Sequence, residues 1–125
     1  MAQQRETREA SNPALLAVGL RPDVLVWRQQ SGVFRSFTDP KRIVTVGHKG
    51  LSDAGMIVAV TITPGMVGKT VGVAVQPEFK TQRGRQSADQ INWQNAVEKR
   101  GGIYRLVRSA DDMTQLVEDV QNGNW

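Results

Sequence analysis

A chain of 125 residues with 39% hydrophobic side chains has the length of one folded domain with one core. It contains no cysteine and one histidine, which excludes a disulfide framework, a Cys-ligated zinc, an iron–sulfur cluster and a multi-histidine centre, so a protein-bound metal is held by oxygen. Sixteen Lys and Arg against twelve Asp and Glu give a net charge of +4, but Asp111, Asp112, Glu118 and Asp119 are the only charges after Arg108, so residues 1–110 carry +8, a distribution suited to a polyanion partner.

In chain order, Asn12 followed by Pro13 predicts a capped helix through Val18, ended by Gly19 and Pro22; a longer helix from near Gln3, kinked at Pro13, is the alternative. Short β-prone runs follow at Val24 to Trp27, Val33 to Phe37 and Ile43 to Val46, separated by Gln30-Ser31-Gly32 and Asp39-Pro40 turns. A polar, glycine-punctuated stretch from Gly47 to Gly55 carries His48, Lys49 and Asp53. Met56 to Thr63 and Gly72 to Phe79 read as a strand pair joined through Pro64-Gly65, Gly68 and Lys69. The longest apolar run, Met56 to Ile62, is far short of the roughly 20 residues of a membrane span, and no signal-peptide core precedes it, so a cytoplasmic protein with no membrane partner is expected.

After the basic stretch Lys80 to Arg85, Ser87-Ala88-Asp89-Gln90 has the form of a capping box and opens a helix to about Arg100, stopped by Gly101-Gly102. Ile103 to Val107 is a strand. Ser109 and the acids after it start a last helix whose Met113, Leu116, Val117 and Val120 form one apolar stripe. This order predicts a single α/β (α+β) domain over residues 1–125, a mixed central β-sheet flanked by helices.

The sharpest chemical constellation is Glu78 and Lys80, two apart on a strand and therefore on one face, with Asp53 at the entrance to the strand taken as its hairpin partner. Two carboxylates with a backbone carbonyl and waters suit Mg²⁺ or Mn²⁺, and the neighbouring lysine suits stabilisation of phosphoryl negative charge. Without a metal, the same residues are a strand-end salt bridge and a turn acid.

Gly50-Leu51-Ser52-Asp53, Glu78-Phe79-Lys80-Thr81, Gly84-Arg85, Ser87, Gln90, Trp93 and Gly102-Ile103-Tyr104 resemble, in order and spacing, the viral-type replication and repair nuclease (VRR-NUC) family of the PD-(D/E)XK nuclease superfamily. Upstream, Pro22-Asp23-Val24 and Trp27-Arg28-Gln29-Gln30-Ser31-Gly32 resemble that family's aromatic-Arg-Asn-Asn-x-Gly segment, so the likeness spans about residues 6–109. Phe79 departs from the usual β-branched residue, and Gln76-Pro77 from the usual apolar strand residues; the proline suggests an edge or bulge that aims Glu78.

The resemblance implies a restriction-endonuclease-like core in which Asp53, Glu78 and the Phe79 carbonyl hold Mg²⁺ or Mn²⁺ and Lys80 is catalytic. It places Gln90 beside the active site, although Gln90 also completes a helix cap with Ser87. It implies a first-helix glutamate, for which Glu6 and Glu9 are candidates and Glu9 is preferred. Lys49, Lys69, Arg83 and Arg85 are candidate DNA contacts. The expected activity is phosphodiester hydrolysis by a metal-dependent DNA endonuclease, a homodimer cutting four-way or other branched DNA in phage replication, recombination or repair, in a bacterial or phage-infected cell. The alternative is a non-catalytic DNA-binding module on the same fold.

Overall fold

The computed structural model describes residues 4, 5, 7–29 and 32–125, with the backbone alone for Thr7, Arg8 and Phe34. Among the described residues it is a mixed α/β structure of small sheets with the α-helices α1 (Asn12–Val18), α2 (Ala88–Lys99) and α3 (Ala110–Gln121). The chain divides into two compact units, Met1–Leu20 with Val26–Met56, and Arg21–Leu25 with Ile57–Trp125. Among the described residues no helix is long and apolar enough to cross a membrane.

In the first unit a π-helical turn, Thr7–Ser11, runs directly into α1. Asn12 is therefore not a cap. The backbone is already helical at Ser11 (φ −70°, ψ −43°), and Asn12 Oδ1 instead accepts a hydrogen bond from Arg28 Nη2 at 2.6 Å. The longer first helix weighed from the sequence is closer to what forms.

β2 (Gly32–Arg35) and β3 (Ile43–Val46) pair antiparallel, with Gly32 opposite Val46 and Arg35 opposite Ile43. Asp39 shapes their connection: its carbonyl accepts from Arg42 N–H and its Oδ1 from Lys41 N–H. β1 (Val24–Arg28) pairs with β4 (Ala54–Val58). Hydrogen bonds from Gln29 N–H to Asp53 O and from Ala59 N–H to Asp23 O, each 2.8 Å and each within one unit, make the pairing antiparallel. The Trp27 indole lies across Gly55, where an added Cβ would come within 2.5 Å of the ring.

The second unit is built on a parallel pair, β5 (Val75–Phe79) and β6 (Ile103–Val107), joined by α2 as the crossover. Alternation along β5 divides its side chains between two helices. Gln76 and Glu78 hydrogen-bond Trp93 and Gln90 of α2, while Val75 packs on the Ile103, Val107 and Leu116 cluster with Val120 of α3. At the far end of α2, Gly101 (φ +81°) makes the turn, and Gly102 lets Val97 close down on the strand, since a Cβ there would meet Val97 Cγ1 at 2.7 Å.

The expected strand pair also fails to form. Met56 to Thr63 and Gly72 to Phe79 are not partners: β4 pairs with β1 and β5 with β6, and residues 59–63 and 70–74 form no strand. Val60 and Ile62 are 63% and 81% exposed, so this apolar run does not act as a buried strand. Among the described residues the strands form three two-stranded sheets in place of one central sheet.

Candidate active site

Glu78 stands near the end of β5, and Lys80 is the first residue beyond it. They share a face, as their spacing predicts, with Lys80 Nζ 3.6 Å from Glu78 Oε1. The pair differs from an ordinary surface salt bridge in its shielding, the side chains being only 19% and 26% exposed, so solvent screens the interaction less. An ammonium has three donors, so this contact leaves Lys80 capacity for another acceptor.

Gln90 completes the expected cap and also reaches Glu78. Its Oε1 accepts from Ser87 N–H at 2.9 Å while Ser87 Oγ accepts from Gln90 N–H at 3.2 Å, the complete capping box that starts α2. Its amide nitrogen, left free by the cap, donates to Glu78 Oε1. Trp93, one turn on, donates from Nε1 to Gln76 Oε1 at 3.4 Å. The start of the crossover helix is thus tied to the carboxylate.

Pro77 explains itself through the register. Lys80 N–H donates to Val107 O and Ile103 N–H to Ala74 O, so the even-numbered residues of β5 bond to β6. Pro77 lies on the other edge, where its missing donor costs no bond to β6, which matches the edge reading of the sequence. The same parity points the Phe79 carbonyl away from β6.

The loop after Lys80 is closed by a residue that the sequence did not single out. Arg108 Nη1 donates to the carbonyls of Thr81 and Gly84, the latter at 2.8 Å, and Gln82 Nε2 donates to Arg108 O at 3.4 Å. Its place follows from the register: with β5 and β6 parallel and Phe79 opposite Val107, residue 108 follows β6 as Lys80 follows β5. Arg83 and Arg85 remain exposed on this loop.

Asp53, exposed, belongs to the first unit. Its turn is held from β1: Trp27 Nε1 donates to Gln29 Oε1 (3.2 Å), Gln29 Nε2 donates to Ser52 O and Oγ (3.3 Å each), and Ser52 Oγ donates to Ala54 O (2.9 Å). Glu9, also of the first unit and exposed, receives Arg5 Nε on both carboxylate oxygens at 3.1 Å. Glu6 lies outside the described residues. Lys49 is exposed between Gly47 and Gly50, both at positive φ, and Lys69 is exposed after Gly68.

At the start of β1, Arg21 donates to both oxygens of Asp23 at 2.9 and 2.7 Å. The Arg21 hydrogen bond holds the Asp23 carboxyl below its ordinary value, and the same bond raises Arg21.

Among the described residues no three His, Asp or Glu side chains gather as a metal cluster. The second unit offers the Glu78 carboxylate and the outward Phe79 carbonyl. These are hard oxygen donors of the kind Mg²⁺ takes, since that ion is commonly held through one or two carboxylates with waters and phosphate oxygens. Asp53, the second expected carboxylate, is in the other unit. No family model matches the chain, and no curated protein or solved structure is significantly similar to it.

Proposed function

We propose that the protein is a Mg²⁺- or Mn²⁺-dependent DNA endonuclease with a restriction-endonuclease-like core of the VRR-NUC kind, acting as a homodimer on branched DNA such as four-way junctions. The observation that carries this reading is the convergence of Lys80 and Gln90 on one oxygen of Glu78 at the end of a parallel strand, beside an arginine-bearing loop. A bare salt bridge requires neither the glutamine nor the loop.

When bound, the metal polarises a phosphoryl oxygen and lowers the pKa of a water. Glu78 and the outward Phe79 carbonyl would hold it, and the family resemblance adds Asp53 as a further carboxylate ligand. Gln90 fixes the rotamer of Glu78, leaving the other carboxylate oxygen for coordination. Lys80 orients the attacking water and stabilises the negative charge that develops on the phosphoryl group. Arg83 and Arg85 hold the flanking phosphates.

The test is cleavage of a four-way junction, a splayed arm and linear duplex, with and without Mn²⁺. Metal-dependent cutting is expected, reduced by at least about 100-fold in Glu78→Ala and Lys80→Ala. Salt-sensitive binding with no cutting in either metal would replace the enzyme with the non-catalytic DNA-binding module.

A further inference from the structure

We propose that Arg108 is the positioning residue of the basic loop, an internal strut that holds Arg83 and Arg85 in place for a phosphodiester backbone rather than a phosphate contact itself. The inference deepens the nucleic-acid reading above and rests on it for the ligand. Two carbonyls three residues apart, Thr81 O and Gly84 O, converge on one guanidinium nitrogen of Arg108. The turn they belong to is tight: Gly84 N–H donates to Thr81 O at 3.1 Å, and an added Cβ at Gly84 would stand 3.1 Å from Thr81 Oγ1 and 3.3 Å from Thr81 N. Arg108 is fixed from its own side, its backbone N–H donating to Asp112 Oδ2 at 2.8 Å, where α3 begins. Both hydrogens of Arg108 Nη1 are committed to peptide carbonyls, which fixes the half-buried guanidinium against the loop, whereas the side chains of Arg83 and Arg85 are exposed.

The experiment compares wild type with Arg108→Gln, Gly84→Ala and Arg85→Gln by DNA binding across a salt series and by the rate of tryptic nicking within residues 80–86. Arg85→Gln is expected to flatten the plot of log affinity against log salt by about one unit. Arg108→Gln is expected to weaken binding about three- to tenfold with the slope unchanged, and to speed nicking at least several-fold. Gly84→Ala, which alters no charge, should do the same. Nicking at the wild-type rate in both turn variants overturns the strut. A slope change in Arg108→Gln equal to that of Arg85→Gln overturns it in favour of direct phosphate contact. Wild type that binds no DNA overturns the nucleic-acid reading, while the nicking rates still decide whether Arg108 holds the loop.

Discussion

The two units differ in how much of themselves they bury. Val24, Ile57, Val97, Ile103, Tyr104, Val107 and Leu116, the buried hydrophobic residues among those described, all belong to the second unit. In the first, β3 is exposed along its whole length, and the turn carrying Asp53 is held by side-chain hydrogen bonds. Apolar burial is the larger and more cooperative source of stability, whereas exposed hydrogen bonds add little net free energy. A rigid platform for Glu78, Lys80 and Gln90 and a softer mount for Asp53 follow from that difference.

Function provides the hardest test of this asymmetry. Asp53→Asn and Glu78→Gln are each expected to lower metal-dependent cleavage by at least about 100-fold, whichever unit the carboxylate stands on. An Asp53→Asn protein that cuts like wild type refutes Asp53 as a metal ligand.

Urea denaturation probes the burial contrast itself. Leu116→Ala, at a residue 4% exposed, is expected to cost about 2–5 kcal/mol, and Ile43→Ala, at one 67% exposed, under about 0.5 kcal/mol. Equal losses would break the distinction between the units. A smaller effect belongs to the cap of α2: Ser87→Ala removes the hydroxyl that accepts from Gln90 N–H, should cost about 1 kcal/mol and, by loosening the first turn that carries Gln90, weaken its hold on Glu78. Spectral titration of Mn²⁺ against this variant checks the second half of the statement, with weaker binding expected.

The smallest effect concerns Asp23. Because Arg21 depresses its carboxyl in the folded protein, the stability it contributes is present above the unfolded carboxylate value and lost as pH falls through the lower folded value. Arg21, raised, stays charged throughout. The stability difference between wild type and Asp23→Asn should therefore be slight at neutral pH and shrink on acidification. A difference that grows as pH falls contradicts the pairing.

Legibility in the sequence followed the range of the interaction. The shared face of Glu78 and Lys80, the Ser87 capping box, the strand Ile103–Val107 and the cap at Ser109 are set by residues within a few positions of each other, and each forms as read. The partner of β5 was not legible. An apolar run specifies that a strand is wanted but not which other run it meets, and Gly72 to Phe79 is read with the run before it, whereas it pairs with Ile103–Val107 after it. The parallel choice makes α2 the crossover and carries Gln90 to Glu78, a contact that a hairpin reading does not supply. Arg108 was missed for the same reason, because its place beside the loop is fixed by a register 27 positions away in sequence. Asn12 failed differently: the chain before it was already helical, so the sequence signal for a cap met no helix end.

The parallel register of β5 and β6 also orders events in time. Val75 and Ile103 stand opposite each other with all of α2 between them, so the ladder closes only after the crossover has folded and the loop-closure entropy has been met. On a ribosome the strand bearing Glu78 emerges well before its partner. The carboxylate therefore waits, without its sheet and without the Val107 carbonyl that receives Lys80 N–H, until β6 has been made. The β5–β6 ladder behind Glu78 and Lys80 is a late acquisition of the growing polypeptide, and a nascent chain stalled before Ile103 would carry these residues without the means to align them.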